Sequence, residues 1–202
     1  MKPVSTSIFE TIRQNPKFHQ SRSADWFRDK IRELAKTSPI SRVDLFKTTK
    51  EFQTTRLLPG VLSFFAYDPK HKETLPYYDK FPLSFIFSIE KDRFSGINFH
   101  YLPIPIRIKL YDAMYNIAKQ THLPSQQVMA LSWSILQNAS KFPGVRPAVK
   151  QYLFNHVQSR FIKIPIEDWK TAIMLENSEF KKASASNVRT ISARIASKAL
   201  MD

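Results

Sequence analysis

Cysteine is absent from the 202 residues. A disulfide framework, a cysteine-ligated zinc site and a thiol nucleophile are therefore excluded. Glycine is close to absent, with 3 residues. Gly60, Gly96 and Gly144 stand too far apart to cradle a phosphate, and neither GxGxxG nor GxxxxGK[ST] occurs. GxSxG and HExxH are missing as well. With these signatures gone together, neither a cofactor nor a small-molecule substrate is expected. Long apolar runs are lacking too: no window approaches the roughly 18 residues of a membrane span. The longest apolar strand, Leu83–Ile89, is interrupted by Ser84 and Ser88. The first residues, MKPVSTSIFETIRQNPKF, hold no apolar core of a secretory signal. The expectation is a soluble chain without a membrane partner, working inside a cell or in an assembly made there.

Acidic residues are the last scarcity, and they turn attention to what is present. Asp+Glu number 17 against 31 Lys+Arg, a net charge of +14. Such an excess favours a polyanionic partner: nucleic acid first, an acidic protein surface second, an anionic membrane third. The plain alternative is a merely soluble basic protein. The charge is uneven. Residues 1–59 carry 12 Lys+Arg against 6 Asp+Glu and residues 181–202 carry 5 against 1, while the middle is close to neutral. Basic ends on a packed middle suit contact with nucleic acid. Hydrophobic residues at 43% and aromatics at 13% supply enough to bury a core.

Punctuation and periodicity divide the chain into a basic N-terminal arm with helices over 1–56, a β core over 57–103, a helical region packed on it over 104–180, and a basic tail over 181–202. In the first part, Ser23 caps a helix over 23–36 whose apolar face is Trp26, Phe27, Ile31, Leu34 and Ala35, and Pro39 ends it. A shorter helix is expected over 42–51. Pro59-Gly60 opens the β core. Val61–Tyr67 reads as a buried strand, Asp68-Pro69 as a turn, and the proline-rich stretch to Pro82 as a compact loop carrying Leu75, Tyr77, Tyr78 and Phe81. Leu83–Glu90 and Phe94–Leu102 form a hairpin, with a bulge or kink at Ser95-Gly96. Pro105 and Pro124 then begin helices through Gln120 and Ser140. Pro147–Gln158 reads as a third helix, Arg160–Ile164 as an edge strand and Glu167–Leu175 as a short helix. In the tail, Val188, Ile191, Ile195 and Ala199 could line one helical stripe.

Chemistry is hard to find among these elements. The five histidines are scattered, so no metal site is expected. Strand alternation from Phe99 and Tyr101 would turn His100 outward with Asn98. Asp68 and Asp92 have turn roles, leaving Asp79 as the acid to watch. The positive signal is basic residues interleaved with aromatics. Lys70, Lys72 and Lys80 lie beside Tyr77 and Tyr78, a pattern suited to a nucleic-acid backbone or a single-stranded end. The tyrosines could equally cap the core over solvated lysines. Lys181, Lys182, Arg189, Arg194 and Lys198 read as phosphate contacts, or as a tail ordering against a neighbouring subunit.

Three strings carry a resemblance: Leu58-Pro59-Gly60 through Phe65-Ala66-Tyr67-Asp68-Pro69-Lys70, Leu75-Pro76-Tyr77-Tyr78-Asp79-Lys80-Phe81-Pro82-Leu83, and Gly96-Ile97-Asn98-Phe99-His100-Tyr101-Leu102-Pro103. Together they resemble small virion and DNA-end-associated proteins of T-even-like tailed bacteriophages, the DNA end protector family among them. Their order is also similar to a small Src-homology-3-type (SH3-like) barrel. The implied fold is α+β, a small antiparallel barrel flanked by N-terminal and C-terminal helices. The implied function is non-enzymatic binding of DNA ends or backbone through basic arms, with DNA and other phage structural proteins as partners. The implied location is the virion, or the host cytoplasm during assembly. Two alternatives stand beside it: a structural subunit of the head-neck, tail or baseplate, and a small-barrel nuclease using His100, Asp79 and Arg93.

Overall fold

The computed structural model describes residues 53–120, 124–174 and 178–198. The helices expected over 23–36 and 42–51, and the arm before them, lie outside the described residues. The chain enters at β1 (Gln53–Thr54), followed by β2 (Leu62–Phe64), β3 (Tyr78–Asp79), β4 (Leu83–Ile89) and β5 (Arg93–Asn98). Helices α1 (Ile104–Ala118) and α2 (Ser125–Lys141) come next. Then β6 (Val149–Leu153), β7 (Phe161–Lys163), α3 (Trp169–Met174), β8 (Phe180–Lys181) and α4 (Ala185–Lys198) complete the order.

A six-stranded sheet runs in the order β1-β7-β2-β4-β5-β6, with every pairing antiparallel. A separate two-stranded ladder joins β3 to β8. The α+β class holds, with an antiparallel sheet and helices on it. The sheet is open, with β1 and β6 as edges, and the described residues form no closed SH3-like barrel. The reason lies beyond residue 103. β7 inserts between β1 and β2, and β6 extends the sheet past β5, so the places that closure would use are taken.

Alternation along the strands gives the sheet two apolar faces. Phe85 and Ile97 join the larger core with Leu110 and Met114 of α1, Leu136 of α2 and Trp169 of α3. The Trp169 ring meets Phe85 edge-on at 4.8 Å. On the opposite face, Phe65 sits among Tyr67, Phe94, Tyr152 and Phe161 at centroid distances of 6.4, 5.5, 5.1 and 5.3 Å, all edge-to-face. Burying each such ring contributes on the order of 2 kcal/mol, and the edge-to-face geometry adds to that.

The irregularity expected at Ser95-Gly96 is a bulge whose extra residue lies on the facing strand, β4. The β4–β5 register slips between Ile86 and Ser88, leaving Phe87 opposite no partner. A Cβ on Gly96 would stand 2.9 Å from the Phe85 carbonyl oxygen, so only glycine fits there. Gly60 has φ +78°, and a Cβ on it would meet Ser132 of α2 at 2.8 Å. The turn after Pro59 can therefore lie flat against that helix.

α1 and α2 begin where Pro105 and Pro124 place them. α1 buries Arg107, whose guanidinium donates to the carbonyls of His100, Leu102 and Ile173 at 3.1, 2.9 and 3.0 Å. Pro147–Gln158, expected as a helix, is instead the strand β6 between two 3-10 turns, Arg146–Ala148 and Phe154–His156. Val149, Tyr152 and Leu153 satisfy helical spacing, but the ladder to β5 and the Tyr152 ring in the aromatic cluster favour the extended form. β7, expected at an edge, lies between two partners. α4 does form, although its buried stripe is Val188, Ser192 and Ala196, leaving Ile195 49% exposed.

Candidate nucleic-acid interface

Two candidate basic segments a hundred residues apart in sequence meet at the β3–β8 ladder. Tyr78 pairs with Lys181 and Asp79 with Phe180, and the Lys80 amide donates to the Glu179 carbonyl at 2.9 Å. The stretch holding Lys70, Lys72, Tyr77, Tyr78 and Lys80 is thereby joined to Lys181 and Lys182, and α4 follows directly with Arg189, Arg194 and Lys198.

Asp79 pins this ladder to the body. Its carboxylate accepts from the Phe81 amide (3.1 Å), the Glu179 amide (3.3 Å), Asn98 Nδ2 (3.1 Å) and His100 Nδ1 (2.6 Å). Because the carboxylate only accepts, His100 Nδ1 carries the proton in that bond. Asn98 Nδ2 also donates to the Tyr152 hydroxyl at 3.3 Å, which lies 3.3 Å from Ser84 Oγ. Burial alone would push the Asp79 carboxyl up; His100 beside it and the bonds from His100, Asn98 and Phe81 outweigh that and hold it below its ordinary value.

His100 is thus buried, contrary to the strand alternation that would turn it outward. The chain leaves β5 after Asn98 and makes a 3-10 turn at Phe99–Tyr101, capped by Asn98 Oδ1 accepting from the His100 amide at 3.0 Å. That turn ends the alternation and brings His100 to Asp79. Both side chains are 1% exposed, with no access for a substrate. Arg93, the third residue of the nuclease alternative, begins β5 while His100 follows its end, about 20 Å away at a strand's rise. It pairs with Asp92 at 2.9 Å and Glu90 at 3.6 Å at the hairpin tip. The structure does not assemble these three residues.

The basic residues divide by what they touch. Lys182 has φ +67°, and its Nζ donates to the carbonyls of Lys72, Glu73 and Leu75 at 2.8, 2.7 and 3.2 Å. It caps the loop that follows Asp68. Lys72 lies 2.9 Å from Asp68, which raises its pKa. Lys181 stands 2.6 Å from Glu179. Lys70 and Lys80 are exposed, as are Arg194 and Lys198 on the outer side of α4, while Arg189 is half-buried. Tyr77 is half-buried with its ring 6.0 Å from Tyr101, and Tyr78 is half-buried in the ladder. Tyr101 in turn meets Phe180 edge-on at 5.0 Å.

One cation that sequence reasoning missed also belongs here. Lys150 of β6 holds its Nζ 4.1 Å above the Tyr101 ring. A single lysine inside a segment read as helix gives no signal in the sequence. Among the described residues, no group of His, Cys, Asp or Glu is arranged to hold a metal ion, and no helix is long and apolar enough to cross a membrane.

These features define an α+β protein with a two-stranded, lysine-bearing ladder locked to an open antiparallel sheet by a buried carboxylate. The chain belongs to the phage T4 terminal DNA protecting protein family, whose model matches residues 3–195. No curated protein and no solved structure matches it. The family places the chain among phage proteins associated with DNA termini, as the resemblance in residues 58–103 implied.

Proposed function

We propose that this chain covers the ends of duplex DNA by binding them without chemistry. Lys70, Lys80 and Lys181, with Tyr77 and Tyr78 between them, and Arg189, Arg194 and Lys198 along α4 contact backbone phosphates at and near the terminus. Lys72 and Lys182, also expected as contacts, act indirectly by holding the loop that presents Lys70. The observation that carries this reading is the β3–β8 ladder, which joins the two basic segments in a family of DNA-terminus protectors. Charge neutralisation and shape fit need no base reading, so ends of any sequence are bound.

The test is protection. Linear blunt-ended duplex is digested by a processive exonuclease with and without the full chain, at low salt. Digestion from the ends should be delayed in proportion to occupancy, with no nicking by the protein itself. Undelayed digestion at protein concentrations that saturate the DNA would remove the proposal.

A second reading, a structural subunit of the particle, draws on α2. Met129 and Trp133, and Phe142 just past the helix, are 40%, 48% and 55% exposed, an apolar edge suited to protein contacts. Recovery of the chain in virions after nuclease treatment has removed accessible DNA would favour it.

A further inference from the structure

Lys150 is the cation whose surroundings are least explained by folding. It projects from β6, an edge of the sheet among the described residues, in register with Gly96 of β5. The ammonium rests over the Tyr101 ring, and no carboxylate stands within ion-pair distance of it among the described residues. The neighbouring lysines differ: Lys72 and Lys181 face acids, and Lys182 faces three carbonyls. A cation withdrawn from water against an aromatic ring gains some attraction from the ring face, but less than an anion would supply. Its ring partner Tyr101 is also the ring against which Tyr77 and Phe180 pack, so Lys150 adjoins the surface built by β3 and β8.

We propose that Lys150 is a phosphate-binding residue of the DNA-contacting surface, held ready by Tyr101 and satisfied only when a phosphate arrives. The inference rests on the DNA-end reading above and adds a contact that the basic segments do not contain. Burial lowers the Lys150 ammonium to about 8, so it is charged at neutral pH and still lacks a counterion. A phosphate oxygen at that position makes a charge-assisted hydrogen bond in surroundings drier than the exposed lysines have, which strengthens it. The ligand is a phosphate of the DNA chain, either an internal diester or the monoester at a 5′ end.

The experiment compares the full-length wild type with Lys150→Met and Lys150→Arg on three duplexes: open with 5′-phosphates, open with 5′-hydroxyls, and closed at both ends by hairpins. Lys150→Met should bind about tenfold more weakly at low salt, as expected for a lost bond to a charged group. It should also lower the slope of log affinity against log salt by about one. Lys150→Arg should keep most of the binding. A loss confined to the phosphorylated open ends assigns the contact to the terminal monoester; an equal loss on all three assigns it to the backbone. Lys150→Met should unfold at the same temperature as wild type or higher, because a half-buried charge has been removed. The Lys150 ammonium, followed by NMR, should titrate higher when DNA is bound. Unchanged affinity and slope in Lys150→Met, with binding by wild type intact, overturns the Lys150 site alone. A wild type that binds none of the duplexes defeats the DNA-end reading itself.

Discussion

Asp79 is buried and gathers four donors in return: the nearby Phe81 amide, the Glu179 amide a hundred residues on, and the side chains of Asn98 in β5 and His100 in the turn after it. Removing its charge leaves those donors facing a group that cannot accept from all of them, the costly direction for a buried network. Asp79→Asn should lower stability by about 3 kcal/mol, the scale of breaking a buried charged pair. The dependence on pH follows from the depressed carboxyl. An acid held below its ordinary value contributes fully above that value, near 3.9, and the contribution fades as pH falls through the folded-state value. Urea titrations should therefore show a constant gap between wild type and Asp79→Asn from about pH 5 upward, closing below about pH 4. A gap of the same size at pH 3 would mean that the ionised carboxylate is not its source.

The β3–β8 ladder is only two residues long, and a ladder so short does not hold by itself. It depends on Asp79 at one end and the Lys182 clamp at the other. Lys182 plays two separable parts, a left-handed backbone and an ammonium on three carbonyls. Lys182→Gly relaxes the first and deletes the second; Lys182→Met keeps the first strain and deletes the second. Both should expose the amides around residues 72–75 to hydrogen exchange, with Lys182→Met the less stable by about 1 kcal/mol. Wild-type exchange in that loop for both variants would show that the ammonium holds nothing.

Much at this scale was legible beforehand. Pro105 and Pro124 mark the starts of α1 and α2 because a proline at a first turn costs no hydrogen bond. Pro59-Gly60, the β4–β5 hairpin and its bulge were equally readable. What was hidden depended on partners distant in sequence. β6 satisfies helical spacing locally and becomes a strand because β5 offers it a ladder. Asp79 and His100 are separated by twenty residues and two strands, and only the turn after Asn98 brings them together. The pairing of Lys181 with Tyr78 had no sequence signal either, since each segment reads as an independent basic stretch.

For the molecule as a whole, the net charge of +14 overstates what DNA can use, because several cations already have partners. Lys72 and Lys181 share their charge with Asp68 and Glu179. Lys70, Lys80, Arg194 and Lys198 are exposed, and under the proposed DNA-end reading the long-range field of the remaining excess would steer DNA toward them. Each phosphate contact releases counterions, so removing one contacting lysine should reduce the log–log salt slope by about one. Lys70→Gln and Lys80→Gln should each do this, and the pair together about twice as much. Lys72→Gln should change the slope little and act through the loop instead. Glu179→Gln carries the opposite sign. It frees Lys181 without touching the Glu179 backbone bonds to Asp79 and Lys80, so affinity should rise a few-fold at low salt and the advantage should shrink as salt screens it. Fluorescence anisotropy of a labelled blunt duplex from about 50 to 300 mM salt, roughly the range over which phosphate contacts change affinity most, measures all five variants on one scale. Equal slopes for Lys70→Gln, Lys72→Gln and Lys80→Gln would show that ladder position does not decide which lysines meet phosphate, and the proposed surface would have to be abandoned.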